Sequence, residues 1–344
     1  MNAPENSTQM HCEAGQAAEV VRLQLAANTE RLERLGERLR LFAPRAVVTC
    51  ARGSSDHAAT FAKYLIETRL NILTSSAAPS VTSVYEATPD LAGTVFIAIS
   101  QSGASPDLLA TVRAARNAGA LVIALVNAES SPLAQMADFT VPLCAGFERS
   151  VAATKSYIAS LSAIIQLVGN WARDTQLLQA LANAPALLER AWSLDWSAAI
   201  ARLTTATDLY VIGRGLGLGV AQEAALKFKE TCGLHAEAVS SAEVRHGPMA
   251  LIGKGFPVLI FAQHDETHSG VAALAAELAT RQADVMFAGA EVARTVVLPA
   301  ETAHPVLEPM LMVQSFYRMV NALALARGRN PDQPPYLQKV TETV

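Results

Sequence analysis

The sequence predicts an α/β protein built from two doubly wound parallel sheets in tandem. Short runs that are apolar at every position, such as 95–99, alternate with helical patterns, which is typical of strands buried on both faces of a parallel sheet. The pattern also repeats. Arg52-Gly53 matches Arg214-Gly215, and Gln101 matches Gln263, at one offset of 162 residues (214 − 52 and 263 − 101). Two landmarks at one offset indicate a duplicated unit, and 344 residues suffice for two domains.

The first copy follows a polar start and a long helix. We expect residues 1–9 to be disordered, because they are polar, and 10–41 to be helical, because leucine and valine recur at helical spacing among Glu and Arg. Apolar, β-branched runs then predict strands at 46–50, 80–85, 95–99, 121–126 and 139–143, with helices at 57–67 and 108–118.

The second copy is preceded by a polar loop and by helices. Residues 148–155 open a helix that extends to 172, and helical segments continue to about 201. Strands are predicted at 209–212, 258–261, 285–287 and 295–298, and a helix at 220–230. The predicted domains are an N-terminal segment and helix (1–40), a first α/β domain (41–172), a helical connection (173–200), a second α/β domain (201–330) and a tail (331–344).

Composition excludes several classes of function. Net charge is −4 without a long basic run, so nucleic acid is not an expected partner. The longest apolar runs are too short to span a bilayer, so no membrane association is expected. The four cysteines lack Cys-x-x-Cys spacing and are typical of reduced thiols in a cytoplasmic protein. Histidines are not paired at metal-ligand spacings, so we expect neither a metal nor another cofactor.

The turn 100–105 carries the main binding signal. Ser100, Gln101, Ser102, Gly103 and Ser105 follow an apolar strand and precede a helix. Free N–H groups, the positive end of the helix dipole and neutral hydroxyl donors then converge on one point, which suits an anion. Gly103 is expected to let the backbone approach a ligand closely. The alternative is an ordinary helix cap by Ser105 or by Asp107.

A second turn extends this site. Gly53, Ser54 and Ser55 follow the first predicted strand, and ligands of open parallel sheets bind at the carboxyl ends of strands where the strand order reverses. Neither turn contains Lys, and the glycines fit neither the P-loop nor the dinucleotide pattern. The two turns therefore favour one phosphate monoester on a small molecule over a nucleoside triphosphate.

A possible acid–base group lies in the second copy. Glu223, Lys227 and Glu230 are spaced i, i+4 and i+7, on one helix face among apolar neighbours. His246 and the turn residues Gly247-Pro248 follow closely. Proton transfer in a sugar phosphate requires a carboxylate and an imidazole near the site that binds the phosphate. The alternative is a solvated face of surface salt bridges, with a structural histidine in the turn.

Together these motifs resemble the sugar isomerase (SIS) fold, and more narrowly the isomerase half of glucosamine-fructose-6-phosphate amidotransferase. The resemblance extends in order from about residue 10 to the end. It rests on Arg52-Gly53-Ser54-Ser55, Ser100-Gln101-Ser102-Gly103, Val151-Ala152-Ala153-Thr154-Lys155, Glu223-x-x-x-Lys227-x-Lys229-Glu230, His235-Ala236-Glu237, Glu243-x-Arg245-His246-Gly247-Pro248, and the tail Asn330-Pro331-Asp332-Gln333-Pro334 with Leu337-Gln338-Lys339-Val340-Thr341.

The resemblance implies roles for particular residues. Glu230 would move a proton between C1 and C2 of the sugar, His246 would assist ring opening, in its own subunit or in a neighbour, and Lys339 would close over the sugar. Lys227 would orient the sugar or pair with Glu230. The residues implied to bind the sugar phosphate are Gly53, Ser54, Ser55, Ser100, Gln101, Ser102, Ser105, Val151 and Ala152.

The resemblance also implies an activity. Asn2 follows Met1, where the amidotransferases carry the Cys of a glutaminase domain, so we expect that domain to be absent. Stand-alone chains of this type resemble the SIS-type glucosamine-6-phosphate deaminases, which form fructose 6-phosphate and ammonia. A homodimer with shared active sites is implied. Two alternatives stay open: a deglycase, deaminase or isomerase for another amino-sugar phosphate, and a sugar-phosphate sensor without turnover.

Overall fold

A computed structural model of the chain describes residues 8–87 and 89–339. Within these residues the chain forms ten strands, which fall into two five-stranded sheets. The strands are β1 (Ala46–Cys50), β2 (Thr74–Ser76), β3 (Thr94–Ser100), β4 (Leu121–Val126), β5 (Phe139–Pro142), β6 (Asp208–Gly213), β7 (His235–Ser240), β8 (Pro257–Phe261), β9 (Asp284–Ala288) and β10 (Val296–Leu298).

Helices follow most of these strands. Two short 3₁₀ helices, Glu243–His246 and Pro248–Leu251, lie between β7 and β8. The α-helices are α1 (Gln9–Gly15), α2 (Ala17–Phe42), α3 (Ser54–Leu70), α4 (Pro79–Ser83), α5 (Pro106–Asn117), α6 (Pro132–Met136), α7 (Lys155–Ala172), α8 (Thr175–Ala182), α9 (Ala184–Ser193), α10 (Ser197–Leu203), α11 (Leu216–Cys232), α12 (His268–Thr280) and α13 (Glu308–Ala326).

Both sheets are parallel and share one topology. The first has the order β2-β1-β3-β4-β5, and the second has the order β7-β6-β8-β9-β10. In each sheet the chain therefore starts near the middle, builds one edge and then crosses to the other side, which is a doubly wound arrangement. All strand pairs are parallel. The predicted fold class, two doubly wound sheets in tandem, is confirmed.

The duplication extends to backbone conformation. Gly53 precedes α3 with φ +55° and ψ −131°, and Gly215 precedes α11 with φ +55° and ψ −125°. This conformation is essentially open only to glycine, because a Cβ would clash with the backbone. The Arg-Gly pair that marked the repeat in the sequence is thus the same strand-to-helix turn in both copies.

The chain divides into two compact units, each built from separate segments. The first unit contains 19–148, 155–182 and the tail from Gln338 onward, and the second contains the chain up to Ala18, 149–154 and Asn183–Leu337. The first unit holds the sheet of β1 to β5, and the second holds the sheet of β6 to β10.

Each unit has its own apolar core around its sheet. Every residue of β3 is buried, as the apolar run 95–99 predicted, and its apolar side chains pack with Leu108, Val112 and Val122. In the second unit Ile212, Ile260 and Phe287 form the corresponding core. No helix in the described part of the chain is both long and apolar enough to cross a lipid bilayer.

The predicted strand at 80–85 is wrong. Pro79 occupies the first turn of the short helix α4, where its fixed φ favours helix, and the N–H groups of Val84 and Tyr85 both donate to the Ser80 carbonyl. The edge strand is instead β2, a polar three-residue segment. Another strand, β7, was not predicted, because the alternation of His235, Glu237 and small residues carries little apolar signal.

The expected disorder of residues 1–9 falls mostly outside the described residues. For residues 8 and 9 it is wrong: the Thr8 hydroxyl accepts a hydrogen bond from the His11 N–H and caps α1. The Thr8 hydroxyl also donates to Asn321 (2.7 Å), and Asp332 accepts the N–H groups of Gln9 and Met10. These bonds anchor the start of α1 within the second unit.

Candidate active-site residues

The two predicted anion-binding turns are neighbours in the first unit. β1 and β3 pair directly, with Cys50 opposite Ala98, so the turns that follow them open on the same edge of the sheet. The strand order reverses at this pair, since β1 leads to β2 on one side and β3 leads to β4 on the other. This is the position where open parallel sheets bind ligands.

The first turn presents the amino end of a long helix. Ser54 and Ser55 are the first two residues of α3, which has 17 residues and a positive dipole end here. Both serines are half-buried. The Ser55 hydroxyl makes no hydrogen bond to the described residues, so it is available to a ligand.

The second turn holds polar groups of two kinds. The Ser100 hydroxyl accepts the Gly103 N–H at 2.9 Å, and the Ser102 hydroxyl accepts the Ala104 N–H at a long 3.4 Å. The Gln101 amide and the Ser105 hydroxyl have no hydrogen bonds to described residues. Ser105 precedes α5, but its side chain makes no capping hydrogen bond to the helix. The alternative interpretation of Ser105 as an ordinary helix cap is therefore wrong.

An ion pair joins the two turns. Both Nε (2.9 Å) and Nη2 (2.6 Å) of Arg52 donate to one carboxylate oxygen of Asp107, whose side chain is fully buried. We call the two turns, 53–55 and 100–105, the cup. Because the Arg52 cation is already paired with Asp107, the groups that the cup offers to an anion are N–H groups, hydroxyls and helix dipoles. Burial, aided by Asp107, raises the pKa of the Cys50 thiol to about 12, so this cysteine is not a nucleophile. The sequence reasoning missed Asp107 as a positioning residue.

Gly103 also has a packing role within the protein. It has φ +63°, and a Cβ built there would lie 2.3 Å from Ser131 Oγ, 2.7 Å from Ser131 Cβ and 2.9 Å from Val126 Cγ2. The turn therefore needs a glycine because it packs against Ser131, and the expected approach of a ligand stays a prediction.

This packing makes a testable prediction. Gly103→Ala should lower the free energy of unfolding by about 1–3 kcal/mol more than Gly146→Ala does, since overpacking costs that much in a well-packed site. Gly146 is the matched control in the same unit: it shares φ +63°, but nothing lies within 4 Å of its added Cβ. Urea unfolding measures both variants, and equal losses would refute the proposed clash.

The second unit contains a buried charge cluster on α11. Lys227 is fully buried and its ammonium pairs with Glu230 and, at 3.4 Å, with Glu223. The Glu223 side chain is also fully buried, whereas that of Glu230 is 17% exposed. The three residues share one helix face, as their spacing predicted, but the face is buried rather than solvated. Glu230 is the member of the cluster that can meet a substrate.

A tyrosine from α13 completes the cluster. The Tyr317 hydroxyl donates to Glu223 Oε1 at 3.0 Å, and Tyr317 is fully buried. Glu223 therefore has a buried partner on each of two helices, Lys227 on α11 and Tyr317 on α13. The bond to Tyr317 holds the Glu223 carboxylate where it meets the Lys227 ammonium. Tyr317 lies 94 residues from Glu223, so nothing in local spacing could have found it.

The cluster keeps Lys227 charged. Burial alone would lower the pKa of the Lys227 ammonium, but attraction by Glu223 and Glu230 and their hydrogen bonds outweigh it and raise that pKa above 10.5. Glu230 is the partly exposed partner of this buried ammonium.

His246 lies elsewhere in the second unit. It ends the 3₁₀ helix Glu243–His246, is exposed, and makes no hydrogen bond or ion pair with the residues that the structure describes. Its neighbour Arg245 pairs with Glu277 at 2.5 Å. Gly247, with φ +135°, turns the chain directly after it. The imidazole is thus presented on a fixed turn.

Lys339 has a buried partner within the first unit. Its ammonium lies 3.2 Å from Glu148 Oε2, and the same oxygen accepts the Ser156 hydroxyl at 2.6 Å. The Glu148 side chain is fully buried. Glu148 thus holds the predicted tail lysine, and the sequence gives no sign of this pairing across 191 positions. Val340 and Thr341 of the tail motif lie outside the described residues.

The predicted site residues Val151 and Ala152 belong to the segment 149–154 of the second unit. Val151 is half-buried and Ala152 is buried, so both can offer only backbone groups to a polar ligand. Glu13 holds the start of this segment, because its carboxylate accepts the N–H groups of Arg149 (2.5 Å) and Ser150 (3.0 Å).

The turn that corresponds to 100–105 in the second unit is filled by its own side chains. The Gln263 amide donates to the Arg214 carbonyl (2.9 Å), to Asp265 (2.8 Å) and to Thr267 (3.3 Å). His264 replaces Ser102 and bonds to the buried Glu308 (3.0 Å). Of the two copies, the first alone keeps uncommitted hydroxyl and amide donors at its turn.

These features define a tandem doubly wound α/β protein whose first unit carries polar, partly exposed turns at the carboxyl edge of its sheet. The SIS domain family matches residues 40–169 and 202–288, which is more than half of the chain. The chain therefore belongs to the SIS domain family.

Two aminotransferases are similar in sequence to most of this chain. The glutamine–fructose-6-phosphate aminotransferase (isomerizing) of Aeropyrum pernix is 36% identical over 308 residues, which are 83% of this chain and 49% of that protein. The Thermotoga maritima enzyme of the same name is 33% identical over 85% of this chain and 50% of its own length. This chain thus spans about half the length of these relatives.

Solved structures agree on the fold. A structure described as a putative phosphosugar isomerase from Silicibacter pomeroyi is 42% identical, with a TM-score of 0.91 over 94% of this chain and 100% of that one. The glucosamine-6-phosphate deaminase of Thermotoga maritima has a TM-score of 0.76 over 98% of this chain and 100% of its own, but at 21% identity it supports the fold alone.

Proposed function

We propose that the chain deaminates glucosamine 6-phosphate to fructose 6-phosphate and ammonia through an aldose–ketose isomerisation. The observation that carries this is the partly exposed Glu230 carboxylate, which the buried Lys227 holds in place at the end of the cluster. A sensor would need the phosphate cup but would have little use for such a base. Both the aminotransferases and the putative phosphosugar isomerase that the chain resembles bear names of sugar-phosphate enzymes.

The cup of the first unit is proposed to bind the phosphate group. The helix dipoles at α3 and α5 and the uncommitted groups of Ser55, Gln101 and Ser105 suit a dianion. Ser54, Ser100, Ser102 and the backbone at Gly53 are proposed to complete this site, and the backbone of Val151 and Ala152 to contact the sugar.

The chemistry proceeds in three steps. His246 is proposed to assist ring opening by moving a proton to the ring oxygen, which yields the open-chain aldehyde. Glu230 then takes the proton from C2 and returns it to C1, while O1 gains the proton that the amine nitrogen loses. The C1 aldehyde thereby becomes an alcohol and the C2 amine becomes an imine. Water adds to C2, the C–N bond breaks and ammonia leaves, which gives the ketone of fructose 6-phosphate. Lys227 is proposed to hold Glu230 in place, and Lys339 to close over the sugar.

The first test is ammonia release by the purified protein. Glucosamine 6-phosphate should release ammonia, while N-acetylglucosamine 6-phosphate should not, because its nitrogen is an amide. Release from galactosamine 6-phosphate alone would favour another amino-sugar phosphate as the substrate. Tight calorimetric binding of a sugar phosphate without release from any of the three would favour the sensor.

The proposal that the cup binds the phosphate group predicts how a serine substitution there changes the kinetics. Ser55→Ala should raise KM by about 10-fold to 100-fold with little change in kcat, because a hydrogen bond to a charged group is worth about 1.5–3 kcal/mol. Ser130→Ala is the control, since Ser130 is an exposed serine of the same unit. If Ser55→Ala left KM unchanged, the cup would not be the phosphate site.

We also propose that the working form is a cytoplasmic homodimer with shared active sites. The exposed His246, which has no bonding partner among the described residues, is suited to reach a second copy. Mixing Glu230→Gln with His246→Ala chains tests this. Shared sites would restore part of the turnover in the mixture, whereas sites within one subunit would leave it inactive.

A further inference from the structure

We propose that the second unit carries a second ligand site, for a small phosphorylated molecule with at least two negative charges, at the amino edge of its sheet. A cavity of about 700 Å³ lies there, with a smaller hollow of about 410 Å³ beside it, and the two share Arg202, Lys254, Gly255 and Asp284. Volumes of this size are typical of small-molecule sites.

The site is separate from the groups used in the proposed reaction. Its lining includes Asp208, Pro257, Asp284 and Val296, which are the first residues of β6, β8, β9 and β10. None of the residues that line the two hollows has a role in the proposed reaction. The inference therefore does not depend on the proposed deaminase activity.

Three cations from distant parts of the sequence converge on the larger cavity. Arg202 comes from α10, Lys254 from the loop before β8 and Arg294 from the loop before β10. Asp284 is the one carboxylate in this lining, and it is bound to Arg202 at 2.5 Å. With Arg202 paired to Asp284, Lys254 and Arg294 leave positive charge at the cavity that a bound anion would balance.

Two of these cations are uncommitted. Lys254 and Arg294 have neither an ion pair nor a side-chain hydrogen bond within the described residues. Both are exposed to solvent at the cavity. Arg294 also has φ +63°, a conformation that residues with side chains rarely adopt. A lysine and an arginine that face one cavity suit phosphate oxygens, which accept several hydrogen bonds at once.

The backbone around Lys254 adds donors. Glycines flank it on both sides, and a Cβ added at Gly253 or Gly255 would meet nothing within 4 Å, so the loop is open to a ligand. The N–H groups of Gly253 and Lys254 make no hydrogen bond with the described residues. Side-chain cations and free N–H groups are the two kinds of donor that phosphate sites use.

The smaller hollow indicates the rest of the ligand. Leu251, which is 65% exposed, and Phe256 line it beside Lys254. Two large apolar side chains in one hollow beside a cation suit a ligand that carries an apolar or ring portion next to its phosphates. The class of ligand that suits both hollows is a phosphate ester with a carbon skeleton, rather than a free inorganic ion.

Calorimetry with inorganic pyrophosphate as the probe tests the charged part of the site. The titrations use the full chain in a Ser55→Ala/Ser102→Ala background, which removes hydroxyls of the proposed catalytic cup. Lys254→Ala/Arg294→Ala in this background should weaken pyrophosphate binding by at least about 10-fold. Lys63→Ala/Lys229→Ala is the control, because it removes two exposed lysines elsewhere and changes the net charge equally.

Hydrogen exchange locates the bound probe. Pyrophosphate should slow exchange in 251–256 and 292–296 and should lose that effect in Lys254→Ala/Arg294→Ala. Equal affinities in this variant and in the lysine control would overturn the proposal, as would an absence of binding to the starting background. Protection limited to 100–105 would also overturn it, since the probe would then bind at the cup. None of these outcomes depends on turnover.

Discussion

Glu230→Gln should lower the turnover of glucosamine 6-phosphate by about 10²-fold to 10⁴-fold, the usual contribution of a general base. An amide has almost the shape of a carboxylate and can still accept the Lys227 hydrogen bond, but it cannot take a proton from C2. The substrate should still bind, because the phosphate cup is unchanged. Steady-state kinetics with ammonia detection measures the loss.

The control for this variant is Glu237→Gln, which makes the same chemical change at an exposed position of β7. It should retain wild-type turnover. Exchange of the C2 proton with solvent deuterium, followed by NMR, reports the proposed step directly and should be lost in Glu230→Gln. A folded Glu230→Gln protein that turned over at the wild-type rate would show that Glu230 is not the base.

Lys227→Met should lower the free energy of unfolding by about 3–5 kcal/mol, the usual cost of removing one partner from a buried ion pair. Methionine fills the space, but the fully buried carboxylate of Glu223 then loses its cation. The Tyr317 hydroxyl alone does not neutralise that charge. Urea unfolding followed by circular dichroism gives the difference.

Lys229→Met provides the comparison within the same helix. Lys229 is exposed, so its replacement should change the free energy of unfolding by no more than about 0.5 kcal/mol. Equal losses for the two variants would mean that the buried cluster does not stabilise the fold.

The same cluster predicts a pH dependence. The pKa of Lys227 is raised above its ordinary 10.5 in the folded protein, so folding favours the protonated form. Its contribution is complete below pH 10.5 and is lost as pH rises through the folded-state pKa. Wild type should therefore lose stability above pH 10.5 more steeply than Lys227→Met, as measured by unfolding at a series of pH values.

The fold was predictable because its signals are local or repeated. The run 95–99 of the buried strand β3 is apolar at every position, and the Arg-Gly turns mark the duplication. The short edge strand β2 was missed because three polar residues carry no periodicity. The β-branched run at 80–85 suggested a strand, but Pro79 set the backbone for a helix.

The clustering of three candidate site residues was predictable from the sequence, but the partners of the candidate residues were not. The spacing of Glu223, Lys227 and Glu230 placed them on one face, yet spacing alone does not distinguish a buried face from a solvated one. Burial is decided by what packs over the helix, here Tyr317 from α13. The same is true of Glu148 and Lys339, which are brought together only by the tertiary fold.

The filled turn of the second unit changes what mutation does at equivalent positions of the two copies. In the first copy a substitution at Gln101 removes a group that no other part of the described chain uses, so its cost should fall on ligand affinity. In the second copy a substitution at Gln263 breaks three hydrogen bonds inside the protein, so its cost should fall on folding. One duplicated turn would thus meet two different requirements: binding of the proposed phosphate in the first copy, and stability of the protein itself in the second.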